Sequence, residues 1–157
     1  MDKNVVITPC DYTNEKHTRA VETLINAYIS DDMGGGEVLD EGRKVRLIEE
    51  LRGRFGAVVL LAKMGEEFVG LLVAFENFST FLVKPMVNIH DIIVLKEYRG
   101  QGIGRRLMEA VIDEAKRRGS ARVTLEVRED NGVAQKLYRE LGFKETSPKM
   151  LYWRMEL

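Results

Sequence analysis

Only one cysteine, Cys10, occurs in the 157 residues, so no disulfide can form within the chain. With two well-separated histidines, His17 and His90, beside that one cysteine, a zinc site lacks its ligands. Net charge is nearly absent as well: 24 basic residues against 25 acidic ones give −1. That balance speaks against a general nucleic-acid binder. Long apolar runs are missing. The longest, Ala57–Ala62 and Phe68–Phe75, fall far short of the ~20 residues of a membrane helix. The opening Met1-Asp2-Lys3-Asn4 is polar, unlike a signal peptide. What is present is a globular composition, 45% hydrophobic and 31% charged. Such a chain is too apolar to stay disordered and long enough to bury about two thirds of its unfolded surface. The expectation is one soluble, cytoplasmic domain over residues 1–157, with neither nucleic acid nor membrane as partner.

Val5-Val6-Ile7 reads as a short strand ending at Pro9. Val21, Leu24, Ile25 and Tyr28 recur at helical spacing and predict a helix that stops before Gly34-Gly35-Gly36. Residues 38–55 read as a second helix, with Leu47, Ile48, Leu51 and Phe55 inward. Ala57–Met64 and Phe68–Phe75 form a hairpin pattern across Gly65-Glu66-Glu67. Phe75, Phe78 and Phe81 read either as the lining of an acceptor pocket or as core, and core is the expectation. Met86–Leu95 is a third strand. A long helix follows, with Ile103, Leu107, Ala110, Val111 and Ala115 as its stripe, basic residues in its last turn and Gly119 after it. Ala121–Arg128 reads as a strand. Asn131 caps a short helix carrying Ala134, Leu137, Tyr138 and Leu141, closed by Gly142. Phe143–Leu157 is expected to give two short strands around Ser147-Pro148. Strands mixed with helices place the chain in the α/β or α+β class, built on one central sheet.

The most informative stretch joins the third strand to the long helix. Gly100, Gly102 and Gly104 sit at alternate positions just where the helix begins. Glycines there let backbone approach a ligand, and the first helical amides have no internal partner. Those amides and the helix dipole favour an anion, beside Arg99, Arg105 and Arg106. The segment therefore suits a phosphate or pyrophosphate. It is not a Walker loop, because no Lys-Ser or Lys-Thr pair follows the glycines. It is a poor dinucleotide fingerprint, because Leu107 stands at the third glycine position.

Arg99-Gly100-Gln101-Gly102-Ile103-Gly104 resembles the acyl-CoA loop of the GNAT superfamily of N-acetyltransferases. Leu125-Glu126-Val127 through Asn131, Ala134, Leu137-Tyr138 and Leu141-Gly142-Phe143 is similar to that family's second signature. The resemblance covers about residues 5–157 and is weakest before residue 57. It implies a central mixed, mostly antiparallel sheet flanked by helices, and acetyl-CoA as cosubstrate. It implies that the backbone from Arg99 and Gly100 through Gln101, Gly102, Ile103, Gly104 and Arg105 holds the pyrophosphate. Ile92, Ile93 and Val94 would splay from the neighbouring strand and pair with the pantetheine arm, with the Val94 amide as oxyanion donor. Asn131, Ala134 and Tyr138 would complete the coenzyme site. Tyr138 stands where the family places the acid that protonates the departing thiolate.

The base stays open between His90, Glu126 and a water relay. His90 lies in the polar insertion Asn88-Ile89-His90-Asp91, and a histidine ordinarily titrates near neutral pH. Locally the chain resembles spermidine/spermine N-acetyltransferases, which carry glutamate where this chain has His90. Around Glu126, Leu-Glu-Val-Arg is similar to the ribosomal-protein N-terminal alanine acetyltransferases. Asp31, Asp32, Glu37, Asp40 and Glu41 surround three glycines and read either as an acidic flap that steers a cationic acceptor or as a solvated loop. The expected reaction is direct attack of a primary amine, a small molecule or a peptide, on the acetyl thioester. The alternatives are a protein N-terminal or lysine acetyltransferase, a non-catalytic acyl-CoA sensor, and a nucleotide-binding regulator. The resemblance leaves a homodimer open.

Overall fold

The computed structural model describes residues 4–157. They fall into two compact units, one ending at Glu126 and one from Val127 to Leu157. The first unit holds a five-stranded sheet in the order β1-β2-β3-β4-β5. Its strands are β1 (Val5–Pro9), β2 (Ala57–Met64), β3 (Glu67–Ser79), β4 (Lys84–Val94) and β5 (Val123–Leu125). The first four pair antiparallel, and β5 lies parallel to β4.

Helices α1 (Glu15–Ile29) and α2 (Glu41–Gly53) cover one face of that sheet. Val21 and Leu24 of α1 and Ile48 and Leu51 of α2 join Val59, Leu61, Leu71, Val73 and Ile93 in one buried cluster. The sheet residues of that cluster alternate along β2 and β3, as a pleated strand requires. Helix α3 (Ile103–Arg117) packs on the opposite face. Its stripe is Ile103, Leu107, Met108, Val111 and Ala115, all buried. Burying each larger side chain of that stripe stabilises the fold by about 1.5–3 kcal/mol. Gly70 on β3 makes the close approach possible. A Cβ there would stand 3.1 Å from Leu107 and 3.2 Å from both Ala62 and the Ile93 carbonyl.

Several sequence expectations change. Phe55 is 91% exposed, because α2 ends at Gly53 and the extended Arg54 turns the chain off the helical face. Strand β3 runs on to Ser79 and β4 starts at Lys84, so Phe78 and Phe81 ride on a hairpin tip and are exposed instead of filling core. The strand expected over Ala121–Arg128 shrinks to Val123–Leu125, the three residues that find a register on β4. In the second unit, α4 (Gly132–Glu140) forms as expected, but no strand forms over Phe143–Leu157. Met150-Leu151-Tyr152-Trp153 is apolar enough for a strand, yet a strand exists only where a second backbone pairs with it.

Candidate functional site

Strand β4 changes character at His90. Before it, Phe75 of β3 faces Asn88; after it, Val73 faces Asp91. Two residues of β3 thus span three of β4, which makes His90 the extra residue of a β-bulge. The bulge exchanges the two edges of the strand. Ahead of it, Val87 donates its N–H toward β5, to the Arg122 carbonyl at 3.1 Å, and the Pro85 carbonyl accepts from Ala121 at 2.8 Å. Beyond it, Leu95 donates to Val69 of β3 at 2.9 Å. By alternation Ile93 also serves β3, while the backbone groups of Ile92 and Val94 face the β5 side. There β5 offers nothing, since its register covers only Val87, Asn88 and Ile89. The strand end is therefore splayed, with the Ile92 backbone groups and the Val94 N–H left spare. Ile93, expected with them, gives its backbone to β3 and its side chain to the core.

The sheet face beside this edge carries polar groups. His90 is exposed, with its ring edge-on to Phe75 at 4.8 Å between centroids. Asp91 is half-buried, and burial pushes its carboxyl above the usual range, opposed by the nearby His90. Asn88 donates from Nδ2 to Thr124 Oγ1 at 3.0 Å, tying β4 to β5 just ahead of the bulge. Glu126 is exposed and follows the last residue of β5.

After β4, a single 3-10 turn over Lys96–Tyr98 leads into the glycines. Gly100 and Gly102 have φ of +77° and +76°, left-handed values that strain any residue with a Cβ. Gly102 is also the N-cap of α3, and no side chain caps this end. The other helices differ: Asn14, Asp40 and Asn131 each accept a backbone N–H at the starts of α1, α2 and α4. The first turn of α3 holds no acidic residue either. Its opening amides, with the helix dipole behind them, can receive an anion.

Two carboxylates anchor the segment that leads into this turn. Tyr98 donates its hydroxyl to Glu67 at the start of β3. Arg99 is paired on two sides: its Nε donates to the Val94 carbonyl at 2.9 Å, and Nη2 pairs with Asp31 at 2.5 Å. The Arg99 hydrogen bond, with help from the Met33 N–H, holds the Asp31 carboxyl below the usual range. The guanidinium expected to add charge for a phosphate is thus committed to a carbonyl and a carboxylate.

The acidic stretch after α1 is fastened to its surroundings, unlike a free flap. Asn26 grips Leu39 in both directions, donating at 3.3 Å and accepting at 2.7 Å. Asp40 caps α2, and Glu41 pairs with Lys44.

In the second unit, Tyr138 owes its setting to the end of α4. Gly142, at φ +94°, donates to the Arg139 carbonyl at 3.0 Å, and Phe143 donates to the Tyr138 carbonyl at 2.9 Å. This is a Schellman motif with its usual apolar contact, the Tyr138 and Phe143 rings lying 6.0 Å apart. At the other end Asn131 Oδ1 accepts from the Ala134 N–H at 3.1 Å. The motif Leu141-Gly142-Phe143 thus has a local physical reason: it stops the helix and fixes the residue three positions before its cap.

A strand with one edge withheld runs into an uncapped helix start through left-handed glycines, an arrangement that can take an extended ligand with an anionic end. The chain belongs to the acetyltransferase (GNAT) family, whose model matches residues 21–143. Among relatives, the ribosomal protein bS18-alanine N-acetyltransferase of Escherichia coli K12 is 40% identical over 74 residues, covering 47% of this chain and 50% of that protein. The chain thus spans about half the length of this relative. A structure from Bacillus halodurans C-125, described as a transcriptional regulator, superposes with a TM-score of 0.81 at 24% identity, covering 98% of this chain and 100% of that one. AAC(6')-Iy, solved with the bisubstrate analog CoA-S-monomethyl-acetylneamine, superposes with a TM-score of 0.78 at 18% identity, covering 98% and 99%. At these identities the two structural likenesses establish the fold alone. Among the described residues no helix is long and apolar enough to cross a membrane, and no group of three or more potential ligands could hold a metal.

Proposed function

We propose that the chain is an acetyl-CoA-dependent N-acetyltransferase that acts as one domain on a primary amine. The observation that carries the reading is the end of β5 opposite Ile89 together with the bulge at His90, which leave the Ile92 backbone groups and the Val94 N–H free to pair an extended ligand directly ahead of the uncapped start of α3. The pantetheine arm lies along that edge, and its pyrophosphate sits on the glycine turn. The Val94 N–H polarises the thioester carbonyl and receives the oxyanion as the amine attacks. The amine must first lose a proton, because an ammonium with pKa near ~10 has no lone pair to offer. His90 takes it, directly or through water, with Glu126 as the competing base. The tetrahedral adduct then expels coenzyme A thiolate, which takes a proton from the Tyr138 hydroxyl, and the tyrosinate recovers a proton from the attacking nitrogen as that becomes a neutral amide.

The acceptor we favour is a small cationic amine. A peptide N-terminus is the second reading, favoured by the likeness to the alanine N-acetyltransferase around Glu126. The test is acetyl-CoA-dependent thiol release with polyamines, aminoglycosides, lysine analogues and short peptides, with Tyr138→Phe alongside. Amine-dependent release that falls at least tenfold in the variant is expected. Coenzyme A binding without turnover on any acceptor would instead make the chain an acyl-CoA sensor. Stabilisation by ATP or NAD but not by coenzyme A would make it a nucleotide-binding regulator.

A further inference from the structure

Asp31 and Arg99 are 68 positions apart in the chain, yet their side chains meet. Arg99 opens the glycine turn, and Asp31 lies two residues beyond α1, in the segment that leads to α2. Asp31 is the more buried partner, its side chain 15% exposed against 42% for Arg99. It is held in place independently of Arg99. The Met33 N–H donates to its Oδ1 at 3.1 Å, its own N–H donates to the Tyr28 carbonyl at 3.0 Å, and its carbonyl accepts from Gly34 at 2.9 Å. Gly34 fits there because a Cβ would collide with the Tyr28 carbonyl oxygen at 1.8 Å. Asp31 is thus a fixed post. Arg99 reaches from it to the Val94 carbonyl, which lies on the edge of β4 that β5 does not reach.

We infer that Asp31 is a positioning residue, which through Arg99 holds the splayed end of β4 at Val94 in the orientation that receives the acyl-CoA thioester. A strand end with one free edge has nothing on that side to set the tilt of its peptide planes. The plane between Val94 and Leu95 is held from β3 by the Leu95 N–H; the guanidinium on the Val94 carbonyl holds its open side, and the carboxylate fixes the guanidinium. The planar fork of arginine suits two such partners at once, which an ammonium matches poorly. Because Asp31 belongs to the α1–α2 segment, order in that segment and order in the coenzyme turn are linked. The inference rests on the acetyl-transfer reading for its function but not for its geometry.

The experiment therefore has a readout that needs no turnover. Amide hydrogen exchange is followed by mass spectrometry in the wild type, Asp31→Asn, Arg99→Lys and the double variant, without ligand. Exchange in peptides covering residues 92–102 is expected to rise at least fivefold in each single variant, with β2 and α3 unchanged. The double variant is expected to match the worse single one, since both remove one bracket. Calorimetry with coenzyme A is expected to show affinity about tenfold weaker in all three, and steady-state kinetics a larger change in KM for acetyl-CoA than in kcat. Unchanged exchange at residues 92–102, or additive losses in the double variant, would overturn the positioning role. Altered exchange and coenzyme A affinity with no turnover in the wild type would leave that role standing and count against acetyl transfer alone. Loss of the thermal transition in Asp31→Asn is checked against Asp31→Glu. That variant keeps the charge, and its exchange is expected to lie between wild type and Asn; if it matches Asn, the carboxylate does not set the position.

Discussion

The two halves of β4 are built from similar residues and used for opposite purposes. From Val87 to Ile89 the strand is paired on both edges, with β3 on one side and β5 on the other. From His90 to Val94 it is paired with β3 alone. Sequence character does not set them apart: Val87 and Val94 are the same residue, and Ile89 and Ile92 both sit among apolar neighbours. Two features make the difference: β5 ends at Leu125, opposite Ile89, and the bulge at His90 sets Ile92 and Val94, rather than Ile93, toward the vacated side. The first half is stabilised by satisfying its backbone. The second leaves backbone groups open, which stays inexpensive only while water or a ligand can reach them.

Deleting His90 tests what the bulge adds to that contrast. The deletion makes Ile89–Ala74 and Asp91–Val73 consecutive pairs, so Ile93 keeps Leu71 and its place in the core cluster, while the bend and extra twist of β4 are lost. We expect coenzyme A affinity to fall by more than a hundredfold in calorimetry, with the melting temperature little changed. A smaller cut compares two valines on the same edge. Val94→Pro removes an N–H that no strand uses and is expected to lower kcat by about 10²–10³, the scale of one oxyanion donor. Val87→Pro removes a bond made to Arg122 and is expected to cost about 1–3 kcal/mol in urea unfolding. If both valines behave alike, the two halves do not differ in the way described. Smaller again is Asn88→Ala, which unties β4 from Thr124 ahead of the bulge. We expect it to cost about 1 kcal/mol of stability and to change coenzyme A affinity less than twofold.

Much of the paired half was legible in the sequence, and little of the open half was. The stripe of α3 and its stop at Gly119 follow from local spacing, as does Asn131 at the start of α4. Met108 was missed because the stripe is wider than one residue per turn. The glycine turn was visible because left-handed backbone leaves a mark in composition. The bulge leaves almost none. Asn88-Ile89-His90-Asp91 showed only as a polar break, and nothing local says which residue is extra. The Asp31–Arg99 pair carries no spacing signal, because the fold alone brings those positions together. Phe81 was read as core from its type, but it is 97% exposed on the hairpin tip. Side-chain character says what a residue prefers and not where its strand has run out of partners.

Asp91, the first residue after the bulge, offers the mildest test and one with a defined sign. Its carboxylate is half-buried, and among the described residues no hydrogen bond reaches it. Burial raises its pKa above the usual value, with the nearby His90 acting the other way. The folded protein therefore binds this proton more tightly than the unfolded chain does. Linkage then fixes the direction: the contribution is fully present below the unfolded pKa of about 3.9 and is lost as pH rises through the higher folded value. Ionised Asp91 is thus a burden on the fold at neutral pH. We expect Asp91→Asn to raise the melting temperature at pH 7 by about 2 °C, on the scale of a small surface-to-interior change. The difference between variant and wild type should shrink as pH is lowered toward 4. Comparing the two proteins pH by pH cancels Asp31 and Glu114, whose carboxyls are held low by arginine partners and lose their contribution as pH falls. A difference that stays flat with pH would mean that Asp91 is as well solvated in the folded chain as outside it, and that the open half of β4 exposes its side chains as freely as its backbone.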